Sequence, residues 1–266
     1  SLLFFGIPLI PFFIFTWING ALPRIFLDYS DNLSQLGLFA LALQFSGIAT
    51  VLINAFDNSF LPYFYENINS KNGKQKITDM VSMVFFGFSI VIIFLLIISK
   101  PVITKIADPK FHLAAEYVPW LLFGSLFLVL QKVFQLNLLS INKTKILSLI
   151  KLLHSISLFI LLFIFLGPLN LGALGAAYAM IISNVLFVLF SYFISQSFNR
   201  LNYNLNFLYK LFIIQILIMS MVQMLSLPQF FVIEFLIELI LLLLMIYSFN
   251  RIFKLDLKNR IFRIIP

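Results

Sequence analysis

Long runs of apolar residues, separated by short polar or proline-containing turns, make up most of the chain. Most runs last about twenty residues, which at a helical rise of about 1.5 Å per residue spans the roughly 30 Å hydrocarbon core of a bilayer. Pro101 and Pro228 are predicted to end the third and seventh helices, and Pro8 and Pro11 to kink the first. The pattern predicts eight membrane-spanning helices: Leu2–Leu27, Leu36–Tyr65, Val81–Ser99, Glu116–Ile141, Ile146–Leu166, Leu171–Ser195, Tyr209–Leu225 and Phe230–Phe249.

The stretch from Gly167 to Ala179 connects the fifth and sixth predicted helices, and the rest of the pattern is organised around it. Gly167 and Pro168 end one helix, because proline has no backbone donor and clashes with the preceding turn. Small residues then recur three or four positions apart on one face of the next helix: Gly172, Gly175, Ala176 and Ala179. In lipid, such a face lets two helix backbones approach closely.

The composition indicates a membrane protein. The chain is 62% hydrophobic and 11% charged, whereas soluble domains contain about 25% charged residues. A water-soluble fold could not bury this much apolar surface, so we predict an all-α, polytopic membrane helical bundle. The absence of Cys excludes disulfides, thiolate metal sites and a cysteine nucleophile. The net charge is +8, and the basic residues lie mostly between apolar runs. We therefore expect contact with membrane lipids and no nucleic-acid partner.

The basic residues are concentrated in alternate loops. One set of loops, with the C-terminal tail, carries twelve Lys and Arg residues, and the opposite set carries three. The positive-inside rule therefore places the C-terminus, and also the start of the chain, in the cytoplasm. The loop from Lys100 to Glu116 is expected outside, either along the outer interface or as an ordinary loop. The chain starts without an initiator Met or a signal peptide, and we expect it to be the later part of a longer protein.

A polar, Asn-rich segment from Asn199 to Phe207 interrupts the apolar pattern and is expected to be a cytoplasmic linker. We therefore predict a six-helix transporter lobe over residues 1–197 and a linker over residues 198–207. Residues 208–266 are predicted to form two additional helices and a basic cytoplasmic tail.

Six short motifs occur in a fixed order over residues 1–197. The pattern Gly-Pro-x-x-x-Gly-x-x-Gly-Ala-Ala-x-Ala occupies residues 167–179, and the others are Gly6–Pro11, Gln35–Phe39, Phe60–Phe64, Ala115–Trp120 and Asn142–Lys145. Together they resemble the second lobe of bacterial polysaccharide flippases, which belong to the multidrug/oligosaccharidyl-lipid/polysaccharide exporter superfamily. The last two predicted helices lie outside that lobe and fit a fourteen-helix version of the family.

This resemblance implies a function in the bacterial cytoplasmic membrane. Such proteins move undecaprenyl-diphosphate-linked oligosaccharides from the inner to the outer leaflet, for surface polysaccharides such as O-antigen. The implied fold has two six-helix lobes around a central cavity that opens alternately to either side, and this chain would hold the second lobe. A polysaccharide polymerase and glycosyltransferases are the implied protein partners.

The chain departs from the family at the end of the first helix. The family often has Asp-Arg there, whereas this chain has Leu22-Pro23-Arg24. Arg24 is expected to pair with Asp28, one turn later. Near the outer end of its helix, Arg24 either contacts the diphosphate as it leaves or anchors the helix to outer headgroups.

Ionisable residues inside the predicted helices are the candidate functional groups, because they are costly in lipid and usually contact protein or water. Helical rise places Lys132, Lys151 and Asp57 at similar depth towards the inner side, with His154 one turn deeper than Lys151. We predict that Lys132, Lys151 and His154 form a cationic patch for the substrate diphosphate, with Asp57 as the resting counter-ion. In the alternative, both lysines extend into the inner headgroups and His154 is a packing residue.

Several uncharged and acidic side chains extend this hypothesis. Gln131, Gln135 and Asn137 could hydrogen-bond sugars. Glu234 and Glu238 lie four residues apart on one face of the last predicted helix. They either take up a proton or cation during transport or have a structural role.

The sequence contains no catalytic constellation, phosphate-binding glycine loop or metal-ligand cluster. We therefore expect a transporter rather than an enzyme, with no cofactor and no metal. Two alternatives remain. A multidrug exporter of the same fold would favour acids and aromatics in its cavity over lysines. A membrane polysaccharide polymerase or ligase would need a larger outer loop with catalytic Arg or His.

Overall fold

A computed structural model describes residues 6–29 and 33–224. This part of the chain folds into seven α-helices and one short 3₁₀ helix. The α-helices are α1 (Leu9–Tyr29), α2 (Leu33–Asn67), α3 (Gly73–Ile106), α4 (Val118–Ser140), α5 (Thr144–Leu166), α6 (Gly172–Phe198) and α7 (Leu205–Met224), and the 3₁₀ helix is Pro109–Glu116. Helices α1 to α6 are each long and apolar enough to cross a membrane. The all-α polytopic bundle is therefore confirmed.

Five of the eight predicted helices, the second and the fourth to the seventh, begin and end within a few residues of their observed bounds. The first ends two residues later than predicted, and its predicted start at Leu2 lies outside the described residues. The third differs at both ends, because α3 begins eight residues before Val81 and continues beyond Ser99. We expected Pro101 to end it, but α3 continues to Ile106 with Pro101 inside. The proline removes only one backbone hydrogen bond, and the Ser99 and Thr104 hydroxyls on either side donate to helix carbonyls. Membrane helices tolerate proline in this way. The eighth predicted helix, 230–249, lies outside the described residues.

The segment from Lys100 to Glu116 was predicted to be a loop, and that prediction is wrong. Its first part belongs to α3, and its second part is the 3₁₀ helix, which Asp108 caps by accepting from the backbone N–H of Lys110 at 3.1 Å. Phe111 packs closely against α2 at Gly37. The segment is therefore a packed part of the bundle.

Helix α4 is the centre of the bundle and its most buried span. It packs against α2, α3 and α6, while α5 packs against α1 and α6. Helix α1 packs mainly on α5 and α2 mainly on α4, and the two make fewer contacts with each other than with these partners. We call the space between α1 and α2 the α1–α2 groove; α5 lies beside α1, α4 lies beside α2, and α6 contacts both. The α1–α2 turn marks one end of the bundle, and the α4–α5 turn marks the other.

The turn before α6 has the close packing that its small residues predict. Gly175, Ala176 and Ala179 are buried, and a side chain at Gly175 would collide with Phe165 of α5. Gly172 has a positive φ of 55°, a conformation that costs little only for glycine. The Gln35 side chain of α2 accepts a hydrogen bond from the backbone N–H of Ala173 at 2.6 Å and so caps the start of α6.

The segment between α6 and α7 is held against the bundle by hydrogen bonds. Asn137 of α4 and Asn199 exchange two of them, at 3.1 and 2.8 Å, and Lys74 of α3 donates to Asn199 at 2.7 Å. Helix α7 then packs on α3 and α4, where Phe212 stacks on Phe127 with ring centroids 4.8 Å apart. The division into a lobe, a linker and additional helices remains a prediction.

Candidate functional site

Exposed amide side chains line one face of α2. Gln44, Asn54 and Asn58 lie on one face of α2 and are exposed along its length. Amide side chains are costly in lipid, so this face must contact water or other protein. This polar face of α2 accompanies the charged residues of α2, α4 and α5 that are described next.

Asp57 of α2 and Lys132 of α4 form an ion pair on this side of the bundle. Their Oδ2 and Nζ atoms are 2.8 Å apart, and the two side chains are 23% and 32% exposed. A hydrogen-bonded charge pair is the stable state of two such groups away from bulk water. The structure thus places Asp57 beside Lys132, as their similar depth predicted.

Lys151 of α5 has no such counter-ion. Its side chain is only 6% exposed, and its Nζ lies 5.8 Å from the ring centroid of Phe12 on α1 and 4.8 Å from that of Phe187 on α6. No ion pair to Lys151 occurs among residues 6–29 and 33–224. The aromatic faces attract the ammonium group, but they do not neutralise its charge. Burial also rules out the alternative in which this lysine extends into headgroups.

Lys132 and Lys151 lie on α4 and α5, which the short α4–α5 turn joins. Lys151 lies about 11 Å from the start of α5, and Lys132 lies about 12 Å from the end of α4, at 1.5 Å per residue. Both therefore lie at one level, towards the α4–α5 turn. With Asp57 balancing only one of them, this level carries one excess positive charge.

His154 lies one helical turn beyond Lys151 and is buried. Its Nδ1 is 3.0 Å from the Asn19 side-chain nitrogen of α1, and its ring packs on Phe187 with centroids 4.9 Å apart. His154 Nε2 and Asn19 Oδ1 are buried without a hydrogen bond. His154 therefore packs between α1 and α6, and the two atoms keep unused hydrogen-bonding capacity beside Lys151.

The amides predicted to bind sugars have different surroundings. Gln131 is buried and donates to Asn184 of α6 at 3.0 Å, and Gln135 is partly buried. The suggestion for Asn137 is not supported, because its side-chain oxygen and nitrogen both pair with Asn199. Asn137 is fully buried, so its role is to join α4 to the end of α6.

Arg24 and Asp28 line an open cavity at the α1–α2 turn end of the groove. We expected them to pair, but no ion pair joins them in the described part of the chain. Arg24 is exposed and lies twelve residues from Phe12, or about 18 Å along α1. It therefore does not belong to the Lys132–Lys151 level.

The acidic pair Glu234 and Glu238 lies outside the described residues, and its role remains a prediction. Over residues 6–29 and 33–224, no group of three potential metal ligands comes together.

Sequence reasoning missed the neighbours that define the site around Lys151. Phe12 and Phe187 are two of 34 phenylalanines, and nothing in the sequence distinguishes them. Asn19 and Asn184 gave a weak signal, because each is an amide in the middle of a long apolar stretch.

The arrangement is suited to binding an anion. An uncompensated ammonium group in a water-poor environment gains strongly from a negative ligand, because charge-assisted hydrogen bonds are about twice as strong as neutral ones.

Comparison with known proteins identifies the fold. No family model matches the chain. Lsg locus putative protein 1 of Haemophilus influenzae is 30% identical over 87 residues, which make up 33% of this chain and 21% of that protein. The solved structure of lipid II flippase MurJ in its inward closed conformation superposes with a TM-score of 0.55 at 15% identity. The match covers 91% of this chain and 53% of the MurJ chain, so this chain spans about half the length of that flippase.

Proposed function

We propose that the chain is the second lobe of a flippase that moves an undecaprenyl-diphosphate-linked oligosaccharide across the bacterial cytoplasmic membrane. The fold is that of a flippase for a lipid-linked substrate, which supports transport as the activity. The motifs of residues 1–197 support an oligosaccharide as the cargo. The bound lipid's chain would stay in the bilayer while its polar head passes along the α1–α2 groove.

The observation that carries the proposal is the buried, uncompensated Lys151. Removing an ammonium group from water is expensive unless a partner neutralises it. A lysine kept at 6% exposure between two aromatic rings is therefore suited to a ligand that supplies negative charge. The substrate diphosphate supplies such charge. A cationic drug would be repelled at this level, so the site disfavours the multidrug alternative.

Lys132 would act with Lys151, since both lie at one level and Asp57 holds Lys132 in the resting state. When the diphosphate binds, Lys132 would turn from Asp57 to the ligand, and the released carboxylate would repel the anion on its way out. With the α4–α5 turn in the cytoplasm, as the basic loops predict, this level is close to the leaflet from which the substrate enters.

Translocation by the full-length protein in inner-membrane vesicles tests the proposal, with Lys151→Met as the variant. Methionine keeps most of the apolar volume and removes the charge, so we expect at least about a tenfold loss of transport. Lys151→Arg should retain more activity than Lys151→Met. Lys145→Met, an exposed lysine at the start of α5, is the matched control. Unchanged transport by Lys151→Met, at equal protein levels, would refute the proposed site.

A further inference from the structure

A second candidate site lies at the α1–α2 turn end of the groove, about 18 Å along α1 from Phe12, which packs on Lys151. It is an open cavity of about 440 Å³, within the range of about 300–1,000 Å³ typical of small-molecule sites. The cavity is lined by Arg24, Ile25, Asp28, Leu36, Ala40 and Gln44. Helix α1 contributes the first three of these residues and α2 the others.

The charges of this cavity differ from those around Lys151. Arg24 brings a cation and Asp28 a carboxylate, and they are not joined in an ion pair in the described part of the chain. An anion drawn to Arg24 would therefore meet the Asp28 carboxylate in the same cavity. A neutral ligand whose groups both donate and accept hydrogen bonds satisfies both side chains.

The remaining lining fits a ligand that is polar at its edges and apolar on its faces. Gln44 offers both a donor and an acceptor, while Ile25, Leu36 and Ala40 offer apolar surface. A sugar ring has this division, with hydroxyl groups at its rim and C–H groups on its faces. A fatty acyl chain could not use the three polar groups, and a diphosphate could not use the apolar ones.

We propose that this cavity is a glycan site, which holds a sugar unit of the cargo while its diphosphate occupies the Lys151 level. This inference rests on the proposed function, and it assigns Arg24 to the sugar instead of the diphosphate. Because Arg24 lies about 18 Å along α1 from Phe12, which packs on Lys151, only a head with more than one sugar unit reaches both. The cavity therefore makes transport depend on glycan length.

Transport of two lipid-linked substrates by the full-length protein tests this inference. One substrate carries the whole oligosaccharide, and the other carries a single sugar on the same diphosphate. Gln44→Leu removes the amide, and Ala40→Leu fills the cavity without removing a polar group. The matched control is Gln75→Leu, an exposed glutamine on α3 whose side chain pairs with Asp79.

We expect both cavity variants to lower transport of the whole oligosaccharide by about tenfold, Gln44→Leu because one or two hydrogen bonds are lost and Ala40→Leu because the larger side chain takes up the space of the sugar. Transport of the single-sugar lipid should stay within twofold of the unmodified protein. Equal loss for both substrates, or loss for neither, would overturn the glycan site.

Lys151→Met separates this inference from the proposed function, because it should impair both substrates. If it impairs neither while Gln44→Leu still discriminates between them, the diphosphate site is wrong and the glycan site stands.

Binding gives a second measurement that does not depend on transport. Trp17 lies on α1, seven residues from Arg24, and is exposed, so its fluorescence can report on the groove. Free oligosaccharide should change this fluorescence in the purified full-length protein, and Arg24→Gln should weaken the response. A response to pyrophosphate alone that Arg24→Gln abolishes would overturn the inference.

Discussion

The start of α6 provides a prediction whose size can be worked out from the structure. Gly172 has a φ of 55°, which costs a residue with a side chain about 1–2 kcal/mol. A Cβ at this position would also overlap the Gln35 side-chain amide. Gln35 would have to move, and its hydrogen bond from the Ala173 backbone N–H would be lost. A neutral hydrogen bond contributes about 1 kcal/mol.

Gly172→Ala should therefore lower the free energy of unfolding by about 2–3 kcal/mol. Thermal unfolding of the full-length protein in detergent, followed by circular dichroism, measures the change. The matched control is Gly47→Ala, because Gly47 is in the middle of α2 with nothing within 4 Å of an added Cβ. That variant should be neutral or stabilising by about 0.5–1 kcal/mol. Equal effects of the two substitutions would refute the argument from the positive φ.

Three further predictions concern stability. Asp57→Asn and Lys132→Met should each lower the free energy of unfolding, and a double-mutant cycle should give a coupling energy of about 1–2 kcal/mol. If the effects of the two substitutions simply add, the ion pair contributes nothing to stability. Asn137→Ala should cost about 2 kcal/mol in thermal unfolding, because it leaves the amide of Asn199 without its partner; no loss would contradict the role given to this pair. Burial raises the pKa of Tyr203, whose hydroxyl has no hydrogen bond. As pH rises, the unfolded chain therefore loses this proton before the folded chain does. The free energy of unfolding should fall as pH rises above about 10. Tyr203→Phe should be neutral or stabilising at pH 7 and should flatten this fall, and an unchanged pH profile would contradict it.

The helices were predictable because lipid makes long apolar runs nearly unambiguous. The end of α3 was missed, because a proline stops helices more reliably in water than in a bundle. Nor did the sequence indicate that Asn137 pairs with Asn199, because that contact depends on where the chain returns after α6.

The candidate site was predictable in depth but not in its surroundings. Counting residues along helices was enough to place Asp57 and Lys132 at one level, and the structure joins them. Counting cannot show which way a side chain points around its helix axis relative to distant helices. The aromatic contacts of Lys151 and the hydrogen bond between Asn19 and His154 depend on that packing.

Photo-crosslinking of the lipid head beside Lys151 tests the central claim most directly. A photoreactive amino acid in place of Phe12, which is partly buried against Lys151, would be introduced into the full-length protein in cells that make the oligosaccharide lipid. Phe94, which is exposed on α3, is the control position. We expect irradiation to attach a diphosphate-linked oligosaccharide at position 12 and ordinary phospholipid at position 94. Phospholipid alone at both positions would contradict it.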